Sequence, residues 1–212
     1  MLLAFDTASA TLSVAVLEDD EVRAELVSTE PMRHGEQLAP LVEEALVRAG
    51  ATRRDVTAIG VGAGPGPYTG MRVGLVTART LGAVLDVPVY AVCSLDVLAV
   101  EAVDTGAVTG PFVVATDARR KEVFWAAYDE HGTRTSELVV AKPDSLATDA
   151  PVVGEGALLY PADFPHAVGP ARVSAAWLGH TLAGERAELL DPDPLYLRRP
   201  DAEVPGTPKP VS

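Results

Sequence analysis

The sequence predicts an α/β protein of two lobes, each a mixed sheet with flanking helices, the second lobe a smaller copy of the first. Three observations carry this. The opening LLAFDTASATLSVAVLE, Leu2 to Glu18, aligns without a gap on VVATDARRKEVFWAAYD, Val113 to Asp129, placing Asp6 on Asp117 and Ala15 on Ala126. A glycine-rich segment from Gly62 to Gly74 joins a strand-like alternation to a helical one. Of the 212 residues 48% are apolar, enough for an ordinary packed core.

In order along the chain, Leu2 to Asp6, Leu12 to Leu17 and Val22 to Ser28 are short apolar runs separated by turn residues, as in a meander of strands. Leu38, Leu41, Val42, Ala45, Leu46 and Ala49 keep helical spacing, and Gly50 supplies the stop. A strand at Val56 to Val61, a helix at Gly70 to Leu85 and a strand at Pro88 to Val92 follow, and Ser94 is placed to cap a further helix toward Ala102. One residue out of step with the first alignment, Leu26-Val27 matches Leu138-Val139 and Pro31 matches Pro143. Chance likeness between two hairpins is the alternative to duplication.

A strand, an acidic turn and a second strand opening each half point to the duplicated actin-like ATPase (ribonuclease H-like) architecture shared with sugar kinases. In that architecture two hairpin turns face each other across a cleft and present backbone donors to nucleotide phosphates. The expected division is residues 1–102 and 103–199, followed by a disordered tail at 200–212, where AEVPGTPKPVS has no apolar period. Tyr196, Arg198 and Arg199, just before the tail, either dock back on the body or touch a partner.

Composition narrows the function. A formal charge of −13 without a basic stripe repels phosphate backbones, so direct nucleic-acid binding by this chain alone is not expected, and a partner would have to supply the positive surface. The single Cys93 forms no internal disulfide and fits a reducing, cytoplasmic setting. The start meets Asp6 after a short apolar run with no basic region before it, and reads as a strand rather than a signal peptide. Asp86, Pro88 and Asp96 interrupt the most apolar stretch, so no membrane partner is expected.

The turn itself carries Gly62, Gly64, Pro65, Gly66, Pro67 and Gly70. It lacks the Lys-Ser or Lys-Thr of a Walker A loop and the Rossmann spacing at Gly62 or Gly64. It is either a phosphate cradle at a helix N-terminus or a tight structural turn.

GAGPGPYTGMRVGLVTARTLG, together with DTASATLSVAVLE, DARRKEVFWAAY and PLYLRRP, resembles the TsaB (YeaZ) family up to about Pro200. Pro67-Tyr68 stands where Ser-Phe is more familiar. The resemblance implies a non-catalytic subunit that dimerises with the transferase TsaD, helps recruit the ATPase TsaE, and supports formation of threonylcarbamoyladenosine in tRNAs reading ANN codons. A homodimer is expected when TsaD is missing. The alternative is an actin-like kinase or ATPase acting alone.

No catalytic residue and no metal site is expected. The His-x-x-x-His pair of TsaD-like relatives is missing, and His34, His131, His166 and His180 are scattered. His34 is read as a surface or cap residue, and Cys93, Trp125, Tyr128 and Trp177 as core. The turns Asp6-Thr7-Ala8-Ser9 and Asp117-Ala118-Arg119-Arg120 carry no glycine for phosphate approach. No cofactor is required on this reading; weak ATP or ADP binding with Mg2+ would use Asp6, Ser9, Gly64, Gly66, Thr69, Gly70 and Asp117. The two aspartates serve either as contacts to metal-bound water or as turn stabilisers.

The helix after the turn is apolar almost all the way round, and Gly74, Ala78 and Gly82 recur every four residues. Either it is wholly buried in the monomer, or its open side meets a partner helix. The second reading puts the interface on Leu38, Leu41, Val42, Ala45 and Leu46 with Met71, Gly74, Leu75, Ala78, Leu81 and Gly82. It expects Ala78→Arg or Gly82→Leu to leave the fold intact and abolish association.

Overall fold

The central strand β1 (Leu2–Asp6) is buried from Leu3 onward, because both of its faces are covered and both of its edges are paired. β2 (Leu12–Glu18) runs antiparallel beside it and β3 (Glu21–Ser28) closes that edge. β4 (Ala58–Gly62) and β5 (Val89–Val92) extend the other edge in parallel, giving the order β3-β2-β1-β4-β5. The parallel crossovers are helical: α1 (His34–Arg48) leads to β4, and α2 (Tyr68–Leu85) links β4 to β5. The computed structural model describes residues 1–28, 30 and 33–198; Pro31, Arg199 and the expected tail at 200–212 lie outside them.

The second sheet repeats the first. β6 (Phe112–Asp117) pairs antiparallel with β7 (Val123–Tyr128), which pairs with β8 (Val139–Ala141). The short parallel strands β9 (Val152–Val153) and β10 (Ala167–Val168) complete the order β8-β7-β6-β9-β10. The two lobes thus share one strand order and one pattern of directions, which is the duplicated ribonuclease H-like arrangement of actin-like proteins. Asp6 and Asp117 both end the first strand of their lobe, and residues 7–11 match residues 118–122 as connecting turns.

Between the sheets lie α3 (Ser94–Asp104) and α5 (Ala175–Ala183), while the small α4 (Glu155–Leu159) follows β9 and packs on β6. α5 comes from the C-terminal half yet rests on β1, β2 and β4 of the first sheet. It sits close because two glycines face its contacts: a Cβ on Gly60 of β4 would strike Leu178 and Leu182, and one on Gly179 would strike Leu17. Burial of Leu178 contributes about 1.5–3 kcal/mol. One core runs from Ala4 and Leu17 through Leu95 and Leu98 to Phe112, Tyr128 and Leu178. The 102/103 division therefore falls inside α3, in the middle of this shared core.

Ser94 is the first residue of α3 rather than its cap; Cys93 holds that position. The Ser94 hydroxyl donates instead to the Asp6 Oδ2, at 2.6 Å. Cys93, 1% exposed, lies in the core, and burial pushes its thiol up to about 12. Tyr128 is buried and donates to Asp96 at 2.7 Å; Trp177 is half-buried against α5's own His180.

Glu101 of α3 approaches Glu25 of β3, whose Oε1 accepts from the Ser174 hydroxyl and the Ala176 N–H at the start of α5. Burial, and then the Glu25 charge, raise Glu101 to about 7 from 4.5. Between those values the folded chain holds a proton that the unfolded chain has released, so stability falls as pH rises through this window. Glu101→Gln is expected to flatten the thermal-stability profile between pH 4.5 and 7 and to raise the melting temperature at pH 8, read by circular dichroism.

Candidate functional site

The site at which an actin-like lobe would hold phosphate is built from the β1–β2 turn and the β4–α2 turn. In the first, Asp6 Oδ1 accepts the Ala8 N–H at 2.8 Å and the Thr7 hydroxyl donates to the Gly70 carbonyl at 2.8 Å. Asp6 is 1% exposed; burial raises its pKa, against the lowering effect of Ser94, Ala8 and His34. His34 Nε2 donates to the Ser9 carbonyl at 2.8 Å, which makes this histidine a buried brace for the turn. That corrects the expectation of a surface or cap residue: the N-terminus of α1 is drawn in against Ser9.

The glycine frame is filled by this turn. A Cβ on Gly62 would collide with the Asp6 carboxylate, on Gly66 with the Ala8 carbonyl, on Gly70 with the Thr7 carbonyl and on Gly74 with the Thr7 hydroxyl. Gly64 has φ +91 and accepts the Ser94 N–H at 2.8 Å, fixing the start of α3 to the same frame. The close backbone approach that glycine permits is thus used on the chain's own Asp6–Thr7–Ala8.

The opposite turn closes differently. Asp117 Oδ1 accepts the Arg119 N–H at 2.8 Å, repeating the Asp6 arrangement. Arg119, Arg120 and Lys121 are all left-handed, with φ 59, 57 and 59, a conformation in which side chains stand where glycines would leave room. Between the turns the cleft lined by Asp6, Ser9, Pro65, Ser94 and Asp117 has a volume of about 20 Å3, room for about one water molecule. A larger pocket of about 470 Å3 opens on the far side of Ser9, lined by His34, Tyr68, Thr69, Gly70, Val73 and Arg119.

The candidate contacts therefore separate. Asp6, Ser9 and Asp117 line the small cleft; Ser9, Thr69 and Gly70 line the larger pocket; Gly64 is buried against the Met71 side chain and Gly66 against the Ala8 backbone. Asp6 and Asp117 both stabilise their own turns. Among the described residues no group of three or more His, Cys, Asp or Glu could hold a metal ion, and no helix is long and apolar enough to cross a membrane.

The residues expected at a partner face are mostly internal. Leu38, Val42, Ala45 and Leu46 of α1 and Met71, Leu75 and Ala78 of α2 are buried. Gly74 faces Thr7, and Gly82 faces Val89 and the Val87 carbonyl, so the small-residue stripe lets α2 approach its own sheet. Leu41 and Leu81 are half-buried. The expectation that Ala78→Arg or Gly82→Leu would spare the fold is corrected, since both would drive atoms into the monomer core. The valines that stand outward from α1 and α2 are Val47, Val76 and Val84, 73%, 61% and 75% exposed.

With this geometry in view, a family model described as "TsaD: tRNA N6-adenosine threonylcarbamoyltransferase" matches residues 27–162. The chain is 33% identical to the tRNA threonylcarbamoyladenosine biosynthesis protein TsaB of Escherichia coli, over 76% of this chain and 73% of that protein. The chain belongs to the TsaB (YeaZ) family. A TsaB of Bacillus subtilis is 36% identical over 70% of this chain and 63% of its own length. The solved structure of YeaZ from Pseudomonas aeruginosa superposes with a TM-score of 0.76 at 30% identity, covering 92% of this chain and 99% of that one. TsaB relatives are thus named for tRNA modification, and the two-lobed fold is common to this chain and YeaZ.

Sequence reasoning missed Thr7, Ala8, Ser94 and His34 as the groups that meet the glycine frame. The available signal was Gly70 and Gly74, one helical turn apart at the start of α2, which mark a close approach along that face. Gly66→Ala is expected to destabilise the chain by about 1–3 kcal/mol, because a backbone carbonyl must give way. Gly110→Ala, whose added Cβ would meet nothing within 4 Å, should stay within about 0.5 kcal/mol in urea unfolding.

Proposed function

We propose that this chain is a non-catalytic subunit of the machinery that forms threonylcarbamoyladenosine in tRNA. It dimerises with a TsaD transferase, supports it, helps recruit TsaE, and meets tRNA only through the complex. It works in the cytoplasm, requires no cofactor of its own, and self-associates through the same face when TsaD is missing. The observation that carries the reading is the outward apolar set Val47, Val76 and Val84 on neighbouring helices of a chain with a formal charge of −13. The filled glycine frame and the small cleft support a binding role over phosphate chemistry.

The second reading is weak ATP or ADP binding with Mg2+. Its support is that Asp6 and Asp117 face one cleft from the two lobes, and it requires the lobes to part. Calorimetric titration with ATP and Mg2+, alongside an ATPase assay, separates this from an actin-like kinase acting alone. Robust turnover by the purified chain would favour the kinase.

The double substitution Val76→Glu with Val84→Glu should keep the melting temperature near that of the parent, because both side chains are exposed. It should abolish co-purification with TsaD and leave the isolated chain monomeric on size exclusion. Unchanged complex formation would remove α2 as the partner face.

A further inference from the structure

The last described residues cross the molecule from one lobe to the other. Leu190 bridges Ala91 at the free edge of β5, with N···O distances of 3.3 and 2.8 Å, and the Leu195 N–H reaches the Ala63 carbonyl at 3.0 Å. Asp193 pairs with Arg79 at 3.0 Å, and the Tyr196 hydroxyl accepts from Arg72 Nε at 2.7 Å. The Tyr196 ring stacks on Tyr68 with centroids 5.1 Å apart, and the Arg72 guanidinium lies 3.9 Å from the Tyr68 centroid. These hydrogen bonds, the ion pair and the ring contacts are all to the first lobe. Arg198 then donates to the Ala118 carbonyl at 2.8 Å and pairs with Glu122, both in or beside the β6–β7 turn of the second lobe.

We propose that Leu190–Arg198 is a latch that ties the β6–β7 turn to α2 and holds the interlobe cleft shut. The latch has two ends with different chemistry. Its first-lobe end is an aromatic stack clamped by an arginine; its second-lobe end is a charge-assisted grip on the turn whose Arg119, Arg120 and Lys121 are all left-handed. Arg198, which grips Ala118 and Glu122, follows the anchored Tyr196 by two residues. The pairing also gives a physical reason for Tyr68 at the tip of the glycine turn, since its ring is one face of the stack.

The test is amide hydrogen exchange on the full chain, comparing the parent with Arg198→Ala and Tyr196→Ala. The readout is exchange at Ala118, Arg119 and Glu122 relative to the β1 and β4 amides, which report global unfolding. The ring and hydroxyl of Tyr196 engage Tyr68 and Arg72 of the first lobe, so a latch predicts that both variants speed exchange at the β6–β7 turn by about tenfold relative to that reference. Tyr196→Phe, which keeps the ring and loses the hydroxyl, should give a smaller increase. If Tyr196→Ala leaves the turn at parental rates, Arg198 makes a local contact only and the latch is overturned. Parental rates in both alanine variants overturn it equally.

Discussion

Gly62, Gly66, Gly70 and Gly74 all face Asp6, Thr7 and Ala8, and most of the site's geometry follows from that contact. Backbone can press on backbone here only because four side chains are missing. Once the turn is seated, Asp6 is buried, Ser94 is drawn to its carboxylate, and α3 begins where the Gly64 carbonyl meets the Ser94 N–H. His34 braces the turn from the other side and sets the start of α1. Both helices that carry the outward valines are thus fixed, at their N-terminal ends, to one five-residue loop.

The same contact shapes function. In an actin-like lobe that works on nucleotides, the hairpin turn and the glycine-rich turn leave room for phosphate between their donors. Here the donors are spent internally: Ala8 on Asp6, Thr7 on Gly70, and Ser94 on Asp6 and Gly64. The opposite turn has three left-handed residues that carry side chains, and the cleft between Asp6 and Asp117 holds about 20 Å3. A lobe whose turn donors are satisfied internally is suited to present surface to a partner, and the family to which the chain belongs is named for a modification pathway.

Much of the fold was legible from pattern. The strands of the first lobe, both long helices and the Asp6–Asp117 correspondence stand in the sequence because each depends on local periodicity or on the repeat. α5 resting on the first sheet was not, since the fit of Leu178 and Leu182 over Gly60 joins residues more than a hundred positions apart. The site was half legible. The glycine frame was visible, but spacing alone does not say whether glycines make room for a phosphate, a neighbouring helix or the chain itself. The small-residue stripe was ambiguous for the same reason: Gly74, Ala78 and Gly82 mark a line on which something packs closely, and that something is Thr7 and the sheet. His34 was misread because a lone histidine before a helix shows no sign in sequence of the Ser9 carbonyl that buries it.

The central claim is that the chain's own turn occupies the glycine frame. Two-dimensional amide NMR of the labelled chain, titrated with ATP and Mg2+, tests it most directly. The account predicts that the Ala8 and Gly66 amide resonances stay in place, any shifts falling elsewhere. Saturating shifts at both Ala8 and Gly66 would show phosphate entering the frame and would contradict it.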